Sequence, residues 1–386
     1  VSFAKLRSSW AEVGGATPDP YALNQSYSMI QGGHNGQQVQ GPTSSRVPNA
    51  TLSPLTSTTF EIGTDLGFFN NRLNLDFAWY NRATTNDIVE TTISTASGAN
   101  TALLNLGKMR NRGVEFLLSG KIINSDKFSW EASFNGSYNE NKVEALTDQL
   151  NSITMATSVN GYVTITSDVG RPYSIIKGYR PRKDANGNTV YNVSGGSATI
   201  AQGPLEELGQ GVHPWAAGLS NEFKYKNISL SFLIDGKFGG SLYSGTNLYG
   251  TRMGLTKLTL EGRESGLPIK GVDVNGNPVD MVIAPENLRT YYDGLRNISS
   301  EFVYDASFIK LRQVILGYDL PIEKIKGLSK LQGASVSFVA RNLFILYKKT
   351  PNVDPESVFS AGNAQGVEQF GVPKTRSFGL NLNVKF

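Results

Sequence analysis

Apolar and polar residues alternate through the last stretch of the chain, where Phe378, Leu380, Leu382, Val384 and Phe386 are separated by Gly379, Asn381, Asn383 and Lys385. A period of two puts one set on each face of a β-strand. The pattern recurs upstream. Ala4, Leu6 and Trp10 oppose Lys5, Arg7 and Ser9, and Phe60, Ile62, Leu66 and Phe68 oppose Glu61, Asp65 and Gly67. Leu73, Leu75, Phe77 and Trp79 oppose Asn74, Asp76, Tyr80 and Arg82. Val114, Phe116, Leu118 and Ile122 mark another strand, and Phe128, Trp130, Ala132, Phe134 and Tyr138 answer it. Ala217, Leu219, Phe223 and Tyr225 pair in the same way with Ile228, Leu230, Phe232 and Ile234. Between Asp305 and Asp319 the phase slips from Leu311 to Val314, which predicts a β-bulge. Val336, Phe338 and Ala340 carry the penultimate strand.

These about ten long strands are joined by connections that alternate in length, as in outer-membrane barrels. Short turns are predicted at 70–71, 124–127, 226–227 and 320–330. Long irregular excursions are predicted at 14–53, 83–106, 142–214, 239–302 and 350–372. The expected fold is all-β, a transmembrane antiparallel up-and-down β-barrel with a lipid-facing apolar side and a polar lumen. The aromatic last residue, Phe386, fits a girdle at the membrane interface. A soluble β-sandwich would not segregate long and short connections to opposite ends.

Composition narrows the picture further. The 386 residues include no Cys, 41 Gly and 10% aromatics. Mean hydropathy is −0.24, and no apolar run is long enough for a transmembrane helix, which leaves a barrel open. The net charge of +4 comes without a basic run, so nucleic acid is not an expected partner. The chain opens on Val1-Ser2-Phe3-Ala4, inside a strand pattern, and is read as the C-terminal piece of something longer.

Sites for chemistry are scarce. His34 and His213 fall in separate loops, so neither a His-based metal centre nor a catalytic triad is expected. Gly239-Gly240-Ser241 lacks the lysine of a phosphate loop. Asp184-Ala185-Asn186-Gly187-Asn188 and Asp273-Val274-Asn275-Gly276-Asn277 resemble the start of a calcium loop but lack its Gly at position six and its acid at twelve. They read as hairpin turns. Glu206-Glu207 reads as a solvated loop face. The lumen carboxylates Glu61, Asp65, Asp76, Glu115 and Glu131 are expected to face Lys5, Arg7, Arg82 and Lys121. No cofactor is implied.

The chain resembles the C-terminal part of the barrel of SusC/RagA-type TonB-dependent outer-membrane transporters of Bacteroidetes. The resemblance rests on Lys5-Leu6-Arg7-Ser8-Ser9-Trp10-Ala11-Glu12-Val13-Gly14, on Glu61-Ile62-Gly63-Thr64-Asp65-Leu66-Gly67-Phe68-Phe69 and on Asn111-Arg112-Gly113-Val114-Glu115. It continues through Ala306-Ser307-Phe308-Ile309-Lys310-Leu311-Arg312, Gly317-Tyr318-Asp319-Leu320-Pro321, Arg341-Asn342-Leu343-Phe344 and Asp354-Pro355-Glu356. Pro373-Lys374-Thr375-Arg376-Ser377-Phe378 and terminal Phe386 complete the set.

The resemblance implies a plugged barrel of roughly 22 strands, of which residues 1–386 would be the C-terminal portion without plug or TonB box. It implies import of an oligosaccharide or peptide, energised by TonB through the missing plug and covered by a SusD-like lipoprotein lid. It also implies outer-membrane lipid around the barrel and a barrel assembly machinery that reads Phe378, Leu380, Leu382, Val384 and Phe386. A non-transporting barrel that anchors a surface complex or adhesin and a soluble glycan-binding β domain are the alternatives. Excursions 142–214 and 239–302 are expected outside the cell, carrying ligand or lid contacts at Tyr243, Tyr249, Arg252, Tyr291 and Tyr292.

Overall fold

The computed structural model describes residues 1–15, 23–146, 150–322, 331–358, 362 and 364–386. Ten long strands form one antiparallel sheet in chain order. They are β1 (Phe3–Gly15), β2 (Leu55–Phe68), β3 (Leu73–Thr92), β4 (Thr101–Asn124), β5 (Phe128–Ala145), β6 (Trp215–Tyr225), β7 (Ile228–Phe238), β8 (Phe308–Asp319), β9 (Gly333–Lys348) and β10 (Ser377–Lys385). The short segment Arg46–Val47 adds a parallel bridge to β4. Among the described residues β1 pairs only with β2, and β10 only with β9.

The two-residue period puts polar residues on one side of this sheet and apolar residues on the other. The apolar side chains are not covered by protein: Leu6 is 76% exposed, Trp10 66% and Leu380 80%. A sheet that presents such a face needs lipid against it. Aromatic residues form a band at each end of that face, with others such as Phe116 and Phe134 between them. Trp79, Tyr138, Trp215 and Phe238 lie, with Val114 between the first two, on one line across neighbouring strands near the end with long connections. Phe128 pairs with Tyr225, and Tyr318 with Ile228, near the end with short turns. On β6, Trp215 and Tyr225 stand at opposite ends of the strand. Ten residues at roughly 3.3 Å each, tilted by about 40°, span about 25 Å, the height of an outer-membrane apolar band. Asn221 is a buried polar residue on this face. Trp130 stacks on Phe223 with ring centroids 5.5 Å apart and donates its indole N–H to Asn221 Oδ1 at 3.0 Å. The amide is thereby shielded and bonded at once.

Tight turns close the other end. Phe69, Asn70 and Asn71 all take positive φ between β2 and β3, a conformation Asn tolerates. Lys226 does so between β6 and β7. The predicted slip in β8 is a bulge at Arg312, because Leu233 pairs with Gln313 while Ile234 pairs with Leu311. The expected connector 320–330 lies outside the described residues from 323 onward.

Three expectations about the long connections need correction. Residues 83–106 are not a loop, because β3 and β4 continue pairing to the Thr92–Thr101 rung. Asn86, at φ 56°, and Gly107 leave one rung unpaired with the register unchanged on either side, while the Thr and Val residues around it keep the backbone extended. Excursion 142–214 is not irregular; it contains six short strands between Ser152 and Gln210. Excursion 239–302 likewise holds helices α1 (Gly245–Arg252) and α2 (Leu288–Gly294) and strands Ser241–Ser244, Leu267–Asp273 and Pro278–Ile283. Each element is too short for a periodic signal.

These segments contain the protein-covered core. Val163, Ile165, Ile176, Tyr243, Leu248, Ile283 and Phe302 are buried in one cluster with Val367 from the last excursion. Tyr243 pairs with Val367 in parallel strands, and Ser299 Oγ donates to the Tyr162 carbonyl at 2.6 Å. Three excursions that are distant in sequence therefore fold as one cap over the long-connection end of the sheet.

Candidate functional site

On the polar face, Asp65 and Asp76 stand directly opposite each other on β2 and β3. Like charges on facing rungs repel. Arg7, from the neighbouring β1, bridges them: it bonds to Asp65 and, at 2.5 Å, to Asp76, with Glu61 at 3.8 Å. Gly63 faces Arg7 across the β1–β2 pair, and a Cβ there would sit 2.9 Å from Arg7 Nε. Lys5 approaches Asp65 at 3.6 Å and Lys121 approaches Glu131 at 3.6 Å. Arg82 departs from the expected pairing and donates to Thr59 Oγ1 at 3.1 Å, because Thr59 is its cross-strand neighbour.

The Asn-x-Gly segment of β4 has a similar logic. Tyr80, Gly113 and Asn139 occupy one line of rungs across β3, β4 and β5. Tyr80 donates to Asn139 Oδ1 at 2.9 Å, and Asn111 Oδ1 accepts from Asn139 at 3.2 Å and Asn141 at 2.9 Å. A Cβ on Gly113 would fall 2.5 Å from the Tyr80 hydroxyl oxygen. Only glycine lets the tyrosine lie across the strand.

Sequence reasoning did not connect the largest ion cluster among the described residues. Lys310 and Arg312 project from β8 at its bulge, and the Asp354-Pro355-Glu356 segment lies in the last long connection. Lys310 Nζ reaches Asp354 at 2.6 Å and Glu356 at 2.7 Å. Arg312 donates to Glu356 at 2.6 Å and to Asp235 at 2.6 Å. Lys374 adds a contact to Glu356 at 3.2 Å. Burial alone would raise Glu356, but the hydrogen bonds from Arg312 and Lys310 outweigh it and hold this carboxyl far below the usual range. The signal in sequence was present as cations two apart in a slipping strand and acids two apart in a loop. Nothing local ties the two.

His213 sits at the base of the cap, donating from Nε2 to the Ala306 carbonyl at 3.1 Å, edge-on to Phe308. Burial pushes its imidazole below the ordinary value, partly offset by that carbonyl. Glu206 and Glu207 are not free, since they pair with Arg180 at 3.2 Å and with Arg171. The two Asp-x-Asn-Gly-Asn segments are matching turns. Asp184 Oδ1 accepts from the backbone of Asn186 at 2.9 Å and Asn188 at 2.8 Å, and Asp273 repeats this with Asn275 and Asn277 at 2.8 and 2.9 Å. The side-chain amides of Asn188 and Asn277, followed by these backbone bonds, hold both carboxyls below their ordinary value. Among the described residues no group of three or more His, Asp or Glu is placed to hold a metal ion.

The five aromatic and arginine candidates separate by position. Tyr243 is fully buried, its hydroxyl accepting from Asn160 at 2.9 Å. Tyr292 is also buried, with its hydroxyl directed to the carbonyls of Leu258 at 3.1 Å and Glu261 at 2.9 Å. Both rings belong to the cap core and have no free face for a ligand. Tyr249, Arg252 and Tyr291 are half-buried. Arg252 lies over the Tyr249 ring at 5.1 Å and donates to Asp293 at 2.7 Å, while Tyr291 packs edge-on to Tyr292. Phe378, Leu380 and Leu382 lie exposed along β10, with Phe386 beyond its end and Val384 half-buried.

Comparison with known proteins places this geometry. A family model described as TonB dependent receptor-like, beta-barrel matches residues 3–343. TonB-dependent receptor P3 of Formosa agariphila is 25% identical over 414 residues, covering 99% of this chain and 39% of its own length. TonB-dependent receptor SusC of Bacteroides thetaiotaomicron is 23% identical over 407 residues, covering 100% of this chain and 38% of its own. The chain thus spans about two fifths of the length of these relatives. The structure of the RagAB peptide transporter superposes with a TM-score of 0.74 at 20% identity, over 99% of this chain and 41% of that one. At that identity the likeness is one of fold.

Proposed function

We infer, because this chain belongs to the TonB-dependent receptor-like β-barrel family, that it forms the C-terminal wall of an outer-membrane importer for an oligosaccharide or a peptide. The chain is an outer-membrane β-barrel chain whose long connections face outside the cell. In this reading residues 1–386 supply the last strands, while a plug and further strands lie upstream in the intact protein. TonB acts through that plug, and a SusD-like lipoprotein covers the cap. No catalytic step belongs to the reading.

The observation that carries it is the contrast between the two ends of the sheet. One end has turns as tight as Lys226-Asn227. At the other, excursions share a buried core extending from Val163 to Val367. A rigid, folded outer cap on a lipid-facing wall suits capture and passage of a solute better than simple anchoring. Uptake of labelled oligosaccharide and peptide mixtures by cells carrying or lacking the gene, with and without TonB, is the test. TonB-dependent, gene-dependent uptake is expected. Unchanged uptake, with loss of a surface complex instead, would favour the anchoring alternative.

A further inference from the structure

The cap contains a cleft of about 720 Å³ between α1, α2 and the turn Lys257–Leu260. A second cavity of about 520 Å³ adjoins it along a wall made by Arg252, Met253 and Arg289. Together the linings hold four arginines, Arg252, Arg263, Arg289 and Arg296, against two carboxylates, Glu264 and Asp293. Asp293 is already committed, to Arg252 Nε at 2.7 Å and to Arg296 at 3.0 Å. Arg263 is steadied by neutral carbonyls, those of Thr259 at 2.7 Å and Gly254 at 2.6 Å, so its charge is uncompensated there. The Nη groups of Arg252 and the whole side chain of Arg289 make no hydrogen bond or ion pair among the described residues. The result is a concave surface with surplus positive charge, in which Arg252, Arg263 and Arg296 are held in place by other contacts. Such forks match planar carboxylates in a bidentate manner.

We propose that this cleft binds the carboxylates of an acidic peptide. The rest of the lining favours a peptide over an acidic sugar. Its aromatic ring is Tyr292, which is buried, so no open ring face is offered to a pyranose. The accessible apolar groups are aliphatic instead, with Pro285 in the lining and Met253 64% exposed. Alternating acidic and aliphatic side chains would satisfy both surfaces. The biological use of the site rests on the import reading above, whereas binding itself does not.

The intact transporter, purified in detergent, is titrated with a fluorescein-labelled peptide of alternating Glu and Leu, with its Gln–Leu counterpart, and with oligogalacturonate as competitor. The Glu–Leu peptide is expected to bind at least about tenfold more tightly than the Gln–Leu peptide, as lost charge-assisted hydrogen bonds imply. Arg289→Gln, at an exposed residue without partners among the described residues, leaves the fold intact and is expected to weaken the Glu–Leu peptide by about tenfold. Arg252→Gln with Arg289→Gln weakens it further, and oligogalacturonate does not displace it. Equal binding of the Gln–Leu peptide, an Arg289→Gln variant that binds like the parent, or displacement by oligogalacturonate would each overturn the proposal. Peptide binding without any cellular uptake would remove the import reading alone. Uptake of another substrate without peptide binding would remove this proposal alone.

Discussion

Asp65 and Asp76 face each other across β2 and β3, and a guanidinium from a third strand is what makes that pairing tolerable. Arg7→Gln would remove the charge and shorten the side chain by the Nη groups that span the two carboxylates. The expected outcome is a lower melting temperature of the intact barrel, followed by heat-dependent mobility on gels, with Asp76→Asn restoring part of it. A variant as stable as the parent would show that water screens the two carboxylates unaided. Glu356 presents the opposite situation, a carboxylate enclosed by Lys310 and Arg312. Breaking a buried pair by removing one partner typically costs about 3–5 kcal/mol. Glu356→Gln is therefore expected to free residues 350–358, read as faster protease nicking on intact cells. The pH dependence follows from the sign of the shift. The folded carboxyl titrates below its unfolded value, so its contribution is complete above the ordinary Glu range. Nicking should stay constant from neutral pH to about pH 5, rise progressively as the pH falls below the ordinary Glu value, and level off only below the depressed folded value.

At the scale of elements, the strands carry a claim about depth as well as about faces. Leu75 shares a line of rungs with Leu118, Phe134 and Leu219. Leu219 lies between Trp215 and Tyr225, well inside the span bounded by the two aromatic bands. Leu75→Arg is thus a charge near the bilayer midplane and is expected to cost about 2–4 kcal/mol, measured by urea unfolding in lipid vesicles. Spin labels at Leu75 and Asp76 should report lipid and water respectively, and the reverse pattern would invert the faces. That much was legible in the sequence, because lipid on one side and lumen on the other impose an unbroken period of two on strands like β3 and β10. The upper part of β3 was not legible, since Ala83-Thr84-Thr85-Asn86-Asp87 loses the apolar–polar alternation although the pairing with β4 continues. The bulge at Arg312 was visible as a slip, but its consequence was hidden. The partners of Arg312 lie on β7 and in the last connection, and no local pattern joins positions 77 and 44 residues apart. The cap was illegible for a related reason. Its core is assembled from single residues such as Ile165, Tyr243, Leu248 and Val367, each on an element of a few residues.

For the whole molecule, the arrangement of the two outer strands decides how the wall is completed. β1 and β10 each have one partner among the described residues, and their free sides present unpaired backbone N–H and C=O groups. In hydrocarbon each such group costs several kcal/mol, so a membrane barrel closes on itself. Ten strands can in principle close a small barrel, yet no rung joins Phe3–Gly15 to Ser377–Lys385. The family relatives are about two and a half times as long as the region they share with this chain. We therefore expect β10 to pair, in the intact transporter, with the first strand of an upstream portion, and β1 with the last strand of that portion. Phe386 would then stand at the periplasmic interface, one ring in the lower aromatic band and within reach of the assembly machinery. Cysteines placed along β10 should crosslink to the upstream strand and not to β1. Deleting Phe386 should reduce the folded yield in cells while leaving the cap and the Arg7 bridge unchanged in the molecules that do fold. Crosslinking of β10 to β1 would show instead that these ten strands close by themselves, and the upstream strands would then have to form a separate wall.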